Sequence, residues 1–281
     1  FYTLKWRVRM KKYVFLLLCI ALIACIVGVC GSESDITDEK PIVENNEITM
    51  KPVEEQTEEL ETKDLKVLSG KVVVLGDSIW GLDKGSEGIG RCLEEITSLE
   101  VLNYCLPGTC ASKIKGYYGS KDSMEAILVD NDNEKSEEIK NAISEARYVF
   151  IEHCANDCSM AVPLTGDNSY ESALLNSIAV IKELNPDAEI VMLIPTLSYL
   201  INMDQLSNEY NFGEGTIDDY ISVMKSVAEC EGASVVNMQE AWTLTKENWS
   251  DYLVDGSHLK KTARQEYANF LAQKLYELFA K

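Results

Sequence analysis

Five short apolar runs, each stopped by a turn signal, constrain this chain more than any other feature. They are Lys71–Leu75, Glu100–Leu106, Tyr148–His153, Glu189–Pro195 and Ser234–Met238. Runs of roughly four to eight apolar residues between turn signals fit strands buried on both faces. Stretches with helical spacing separate them: Ser86–Ser98, Ser136–Ala146, Ser169–Leu184 and Thr216–Glu231, with Lys260–Lys281 closing the chain. Ser86–Ser98 carries Ile89, Cys92, Leu93 and Ile96 on one face, and the last stretch carries Ala263, Tyr267, Phe270, Leu271, Leu275 and Phe279. Ser136 and Thr216 are followed by acidic first turns, which suit a helix N-terminus. A repeated strand–helix order predicts an α/β fold with a five-stranded parallel sheet covered on both faces. Ligands of such sheets bind beyond the carboxyl ends of the strands. The informative loops are therefore 76–85, 107–116, 154–168, 196–214 and 239–258.

Residues 1–30 hold five basic residues and no acidic one, and Tyr13–Cys30 is an uncharged apolar stretch behind Lys11 and Lys12. That order is expected of a signal peptide or a membrane anchor. Leu22-Ile23-Ala24-Cys25 resembles the lipobox of bacterial lipoproteins, with Cys30 at the apolar–polar boundary as the other candidate for lipidation. An uncleaved helix is open as well, since eighteen residues approach the ~20 that span a bilayer, as is plain secretion. Each outcome places the body outside the cytoplasm, tethered to the membrane by a lipid or a helix or else secreted. Residues 31–66, with twelve acidic and four basic residues and no aromatic, are expected to be an acidic disordered tether. The folded domain is expected to span 67–281.

The formal charge of −20 repels phosphate backbones and argues against a nucleic acid partner. Of nine cysteines, six lie in the body: Cys92, Cys105, Cys110, Cys154, Cys158 and Cys230. A metal clip of His153, Cys154 and Cys158 lacks the paired CxxC spacing of a zinc site, so buried thiols are the expected reading and no metal or cofactor is expected. His153 and His258 are the only histidines, so imidazole chemistry must use one of them.

Four post-strand loops carry candidate chemistry. Gly76-Asp77-Ser78 puts a hydroxyl directly after the first strand, where it is either a helix cap or a nucleophile. Gly76 and Gly81 have phosphate-loop spacing, but Leu82-Asp83 stand where Lys and Ser/Thr are required. The later glycines do not fit a dinucleotide fingerprint, and a GxSxG elbow is absent. Gly108, past the second strand, can bring a bare N–H close to a substrate or simply form a Pro-Gly turn. Asn156, past the third, can aim an amide at a developing oxyanion or form a turn. Asp255 stands three positions before His258, so its carboxylate can fold back onto the ring Nδ1 and leave Nε2 free as a base. The bland alternative is a helix start with a chance histidine.

Gly76-Asp77-Ser78, Gly108, Asn156-Asp157 and Asp255-x-x-His258, in this order, resemble the four blocks of the SGNH hydrolases (the GDSL esterase/lipase superfamily) over about residues 69–281. The resemblance implies a flavodoxin-like three-layer α/β/α sandwich that hydrolyses esters. It implies Ser78 as nucleophile, His258 as base and Asp255 as orienting acid, with Ser78, Gly108 and Asn156 forming the oxyanion hole. Ile79 replaces the usual Leu, and Cys154 stands where the third block commonly has Gly. In this reading the substrate is an acylated small molecule or glycan, with carbohydrate O-acetyl groups favoured. Trp80, Tyr117, Tyr118, Trp242 and Trp249 are the candidates for stacking on sugar rings. A non-catalytic glycan-binding protein, an envelope O-acyltransferase and a lipase are the alternatives.

Overall fold

The computed structural model describes residues 62–114 and 120–280. The signal or anchor at 1–30, most of the tether, and Tyr117 and Tyr118 lie outside the described residues. Helix α1 (Thr62–Leu65) begins the described body. Its Leu65 is buried together with Leu68 against the terminal helix face, so the fold starts before residue 67. Two apolar side chains in an acidic stretch suffice for this, because each gains a packing partner far along the chain.

All five expected strands form: β1 (Ser69–Gly76), β2 (Ser98–Asn103), β3 (Tyr148–Glu152), β4 (Glu189–Ile194) and β5 (Ser234–Asn237). They pair in parallel in the order β2-β1-β3-β4-β5. This is the flavodoxin-like arrangement, with its switch point between β1 and β3.

The helices are α2 (Ser78–Gly81), α3 (Ile89–Ile96), α4 (Ser136–Ser144), α5 (Ala155–Ser159), α6 (Tyr170–Leu184), α7 (Ile217–Glu231), α8 (Trp249–Tyr252) and α9 (Lys261–Phe279). Strand alternation sorts the core into two halves. Val73, Leu75, Val149, Ile151, Met192 and Ile194 face α4, α6 and α7. Val72, Val74, Phe150, Val191, Leu193 and Val236 face α3 and α9. The chain is thus a three-layer α/β/α sandwich.

Helix starts obey local chemistry. The Ser169 hydroxyl accepts from Ser172 N–H at 3.1 Å while the Ser172 hydroxyl accepts from Ser169 N–H at 2.9 Å, a reciprocal cap on α6. Thr216 N–H donates to Asp219 Oδ2 at 2.7 Å at the start of α7. A two-residue antiparallel pair, Tyr199–Leu200 with Gln205–Leu206, stands in the loop after β4.

Candidate active site

The carboxyl ends of β1, β3 and β4 and the turn before α9 converge on one cleft of about 510 Å³. The cleft is lined by Ser78, Gly108, Asn156 and His258 among others. It lies at the switch point, where the parallel order requires the chain to reverse its direction of travel.

Ser78 is the first residue of α2, and Asp77 takes the capping role by accepting from Ile79 N–H at 3.1 Å. With the cap supplied by its neighbour, the Ser78 hydroxyl is free for another partner. That partner is His258, whose Nε2 lies 2.9 Å from Ser78 Oγ across 180 positions of sequence. On the other side of the ring, Nδ1 lies 2.8 Å from Asp255 Oδ2. Asp255 Oδ1 accepts from the N–H groups of Ser257 at 3.1 Å and His258 at 3.0 Å. These bonds, led by that from the His258 ring, outweigh partial burial and hold the Asp255 carboxyl below the usual range.

The turn that carries Asp255 and His258 is closed on itself. Val254 N–H donates to His258 O at 2.8 Å, and Leu253 bridges Leu259. Gly256 sits at φ +86°, and its carbonyl accepts from Tyr199 N–H at 2.6 Å. A Cβ at that position would lie 2.3 Å from Tyr199 O, so the residue must be glycine on two counts.

Gly108 lines the cleft at φ +72°, as a Pro-Gly turn requires. Asn156 also lines it, but its amide protons are engaged within the protein. Nδ2 donates to Asp77 Oδ2 at 3.1 Å and to Thr109 O at 3.0 Å. The bonds fix the plane of the amide and tie the third block to the first two. Asp157, next to it, is fully buried and receives Ala111 N–H at 2.8 Å and Ser112 N–H at 3.1 Å, which anchors the loop after β2. Burial pushes its carboxyl up to about 7 against those two bonds.

Several sequence expectations are corrected. Trp80 is buried between Phe150 and Tyr267, edge-on to both, and does not reach the rim. It lies two positions into α2, and the helix turns it inward. Trp242 stacks on Tyr252 and Trp249 on Tyr199, so these rings have partners already, and neither lines the cleft. Cys154 sends its side chain into the core beside α6, so it does not crowd the cleft. Burial raises the Cys154 and Cys158 thiols, Cys158 to about 12, which keeps both protonated. His153 is buried as well, and desolvation lowers it to about 4.

Sequence reasoning passed over Asp77, Glu152 and Asp157 as functional residues. Asp77 and Asp157 were legible as polar neighbours of the block residues. Glu152 carried a stronger signal, as an acid within an otherwise apolar strand.

No family model matches the chain, and no curated protein does. Solved structures do. A possible lipase from Chitinophaga pinensis aligns with TM-score 0.52 at 16% identity over 76% of this chain and 100% of its own. A candidate SGNH hydrolase from Slackia heliotrinireducens aligns with TM-score 0.51 at 14% identity over 74% and 100%. Est24, a carbohydrate acetylesterase from Sinorhizobium meliloti, aligns with TM-score 0.51 at 12% identity over 74% and 99%. At such identities the likeness is one of fold: these structures share the three-layer α/β/α architecture of this chain.

Proposed function

We propose that the chain is a serine ester hydrolase working through Ser78, His258 and Asp255. The observation that carries this is the hydrogen-bonded relay from Ser78 Oγ through His258 to Asp255, opening on the cleft. Ser78 Oγ attacks the ester carbonyl and passes its proton to His258 Nε2, which then protonates the leaving alcohol. Asp255 holds the Nδ1–H tautomer and stabilises the imidazolium. Water, deprotonated by the same nitrogen, releases the acid from the acyl-enzyme. The Ser78 and Gly108 N–H groups receive the oxyanion, with Asn156 sharing a proton now held by Thr109 O.

The finer proposal is removal of O-acetyl groups from glycans outside the cytoplasm. The export-type head supports it, as does the architecture shared with Est24. So do Ser159, Ser198, Ser207 and Ser257 in the lining of the cleft, which suit a polar alcohol moiety. A second reading, an acyl group longer than acetyl, is favoured by Ile79, Leu82, Leu200, Phe212 and Ile217 in the same lining. Leu82 and Val254 also stand 57% and 65% exposed.

A series of p-nitrophenyl esters from acetate to dodecanoate, with acetylated xylan beside it, tests both. An optimum at acetate with release from xylan supports the first reading, and an optimum at longer chains the second. Ser78→Ala must abolish turnover in either case without lowering the melting temperature. Glycan binding with no fluorophosphonate labelling of Ser78 would instead identify a binding protein. Acyl transfer to an added sugar in preference to water would identify an acyltransferase.

A further inference from the structure

Glu152 closes β3, is fully buried, and sits opposite Gly76 in the parallel ladder. A Cβ on Gly76 would lie 3.1 Å from Glu152 Oε2 and 3.2 Å from its Cβ. The carboxyl therefore occupies the space that the glycine leaves open, directly beneath Asp77. Both of its oxygens are buried, and the hydrogen bonding open to them is with Asp77, through its backbone N–H and its side chain. The titratable groups facing it are Asp77 after β1, Cys105 after β2, Cys154 before α5, Tyr170 on α6 and Tyr267 on α9. None is a cation. An ionised carboxylate there has one backbone donor, Asp77 N–H, and no countercharge, and burial together with the Asp77 charge pushes Glu152 well above the carboxylate range.

Asp77 is placed differently. It receives Ile79 N–H and the Asn156 amide, each at 3.1 Å, so the negative charge of the pair belongs on it. Two adjacent buried carboxyls cannot both ionise at little cost. The pair then carries one proton, held by Glu152 and facing the Asp77 carboxylate. Asp77 in turn caps the helix that starts at Ser78 and holds Asn156, so whatever disturbs it disturbs both.

We infer that Glu152, as a protonated acid set against Asp77, is a positioning residue for the Ser78 site and that loss of its proton disarms the site. The inference rests on Ser78 being the nucleophile, but one readout below does not.

The test compares kcat/KM–pH profiles of the full chain, Glu152→Gln and Glu152→Leu on a p-nitrophenyl ester. Wild type should lose activity on the alkaline side. Glu152→Gln keeps an N–H donor toward Asp77 and cannot titrate. It should stay within about threefold of wild type at pH 7 and extend its plateau upward by about one pH unit or more. Glu152→Leu has no donor and should lose about 10–100-fold in kcat, with KM changed less, as expected for a lost hydrogen bond to a charged group. A Gln profile superimposed on wild type, or Leu matching Gln, overturns the inference.

Difference infrared spectroscopy on wild type should show a protonated carboxyl that titrates with the alkaline limb, separate from the step near 7 that belongs to Asp157, and that persists in Ser78→Ala. Its absence overturns the inference even if both Glu152 variants fail to fold. An active Ser78→Ala would sink the nucleophile reading alone and leave the infrared band to judge the acid pair.

Discussion

Replacing Asp255 separates two ways of losing an orienting carboxylate. In Asp255→Ala the His258 ring loses one charge-assisted hydrogen bond of 2.8 Å. Such a bond is worth about 1.5–3 kcal/mol, or roughly 10–150-fold in rate. The Asp255 side chain is 54% exposed and that of His258 31%, so water can reach Nδ1 and the two turn N–H groups left behind. The ring can then keep its Nδ1–H tautomer.

Asp255→Asn is expected to be worse, although it is the smaller chemical change. With its oxygen kept on the N–H groups of Ser257 and His258, its NH2 faces Nδ1 and forces the proton onto Nε2, toward Ser78. That ring cannot act as a base. Turning the amide over restores the tautomer but sets NH2 against both backbone donors, at about 0.5–1.5 kcal/mol for each bond lost. Added to the missing charge, this gives about 2.5–6 kcal/mol, or roughly 10²–10⁴-fold. The assay is kcat/KM on a p-nitrophenyl ester at pH 8, with circular dichroism to confirm folding. If Asn equals or exceeds Ala, the argument from the turn geometry is refuted.

Three further outcomes follow from the geometry of the site and its surroundings. Gly256→Ala forces a Cβ to within 2.3 Å of Tyr199 O at a φ of +86°. It should lower stability by more than about 2 kcal/mol and activity with it, as read by urea unfolding and turnover; a neutral variant would show that the turn moves freely. Asn156→Ala should lower kcat by about 10²–10³ with a smaller change in KM, and an unchanged kcat would remove Asn156 from the oxyanion site. His153 is lowered to about 4 from an ordinary 6.5, so the native state binds fewer protons than the unfolded chain between those values. Its contribution is present above pH 6.5 and is lost as pH falls toward 4, by about 3 kcal/mol in all. In His153→Phe the stability curve should be flatter by about that amount between pH 7 and pH 4, and parallel curves would contradict the shift.

The sheet was legible because its strands are buried on both faces, so that Val72–Leu75 and Val149–Ile151 read as continuous apolar runs. Helix starts were legible where short polar side chains cap them, as at Ser169 and Thr216. What could not be read is what depends on partners far along the chain. The Tyr199–Leu200 pair is two residues long, too short to show a period, and is held by Gly256 and by Trp249 stacked on Tyr199. Trp80 looked like a rim residue because its neighbour Ser78 is one. Only the direction of α2, set by the Asp77 cap, sends it inward. Leu65 looked like part of a tether because composition averages over a window and cannot see one buried side chain.

The same contrast runs through the site. The meeting of Ser78, His258 and Asp255 could be anticipated because polar residues directly after apolar runs mark the loops at the sheet edge. Asp77, Asp157 and Glu152 lie one layer beneath. Asp157 is buried to hold two backbone N–H groups, and Asp77 is buried to hold a helix start and an amide. Burial pushes Asp77 up to about 6 and Asp157 to about 7. With folded values above the unfolded ones, both groups contribute stability that is fully present below about pH 4 and lost as pH rises through 6–7. His153 works in the opposite direction over much of the same range. The edge that carries Ser78 is therefore underlain by buried groups whose protonation changes cost stability in both directions of pH. Rising pH weakens the packing beneath this edge through Asp77 and Asp157, and falling pH weakens it through His153.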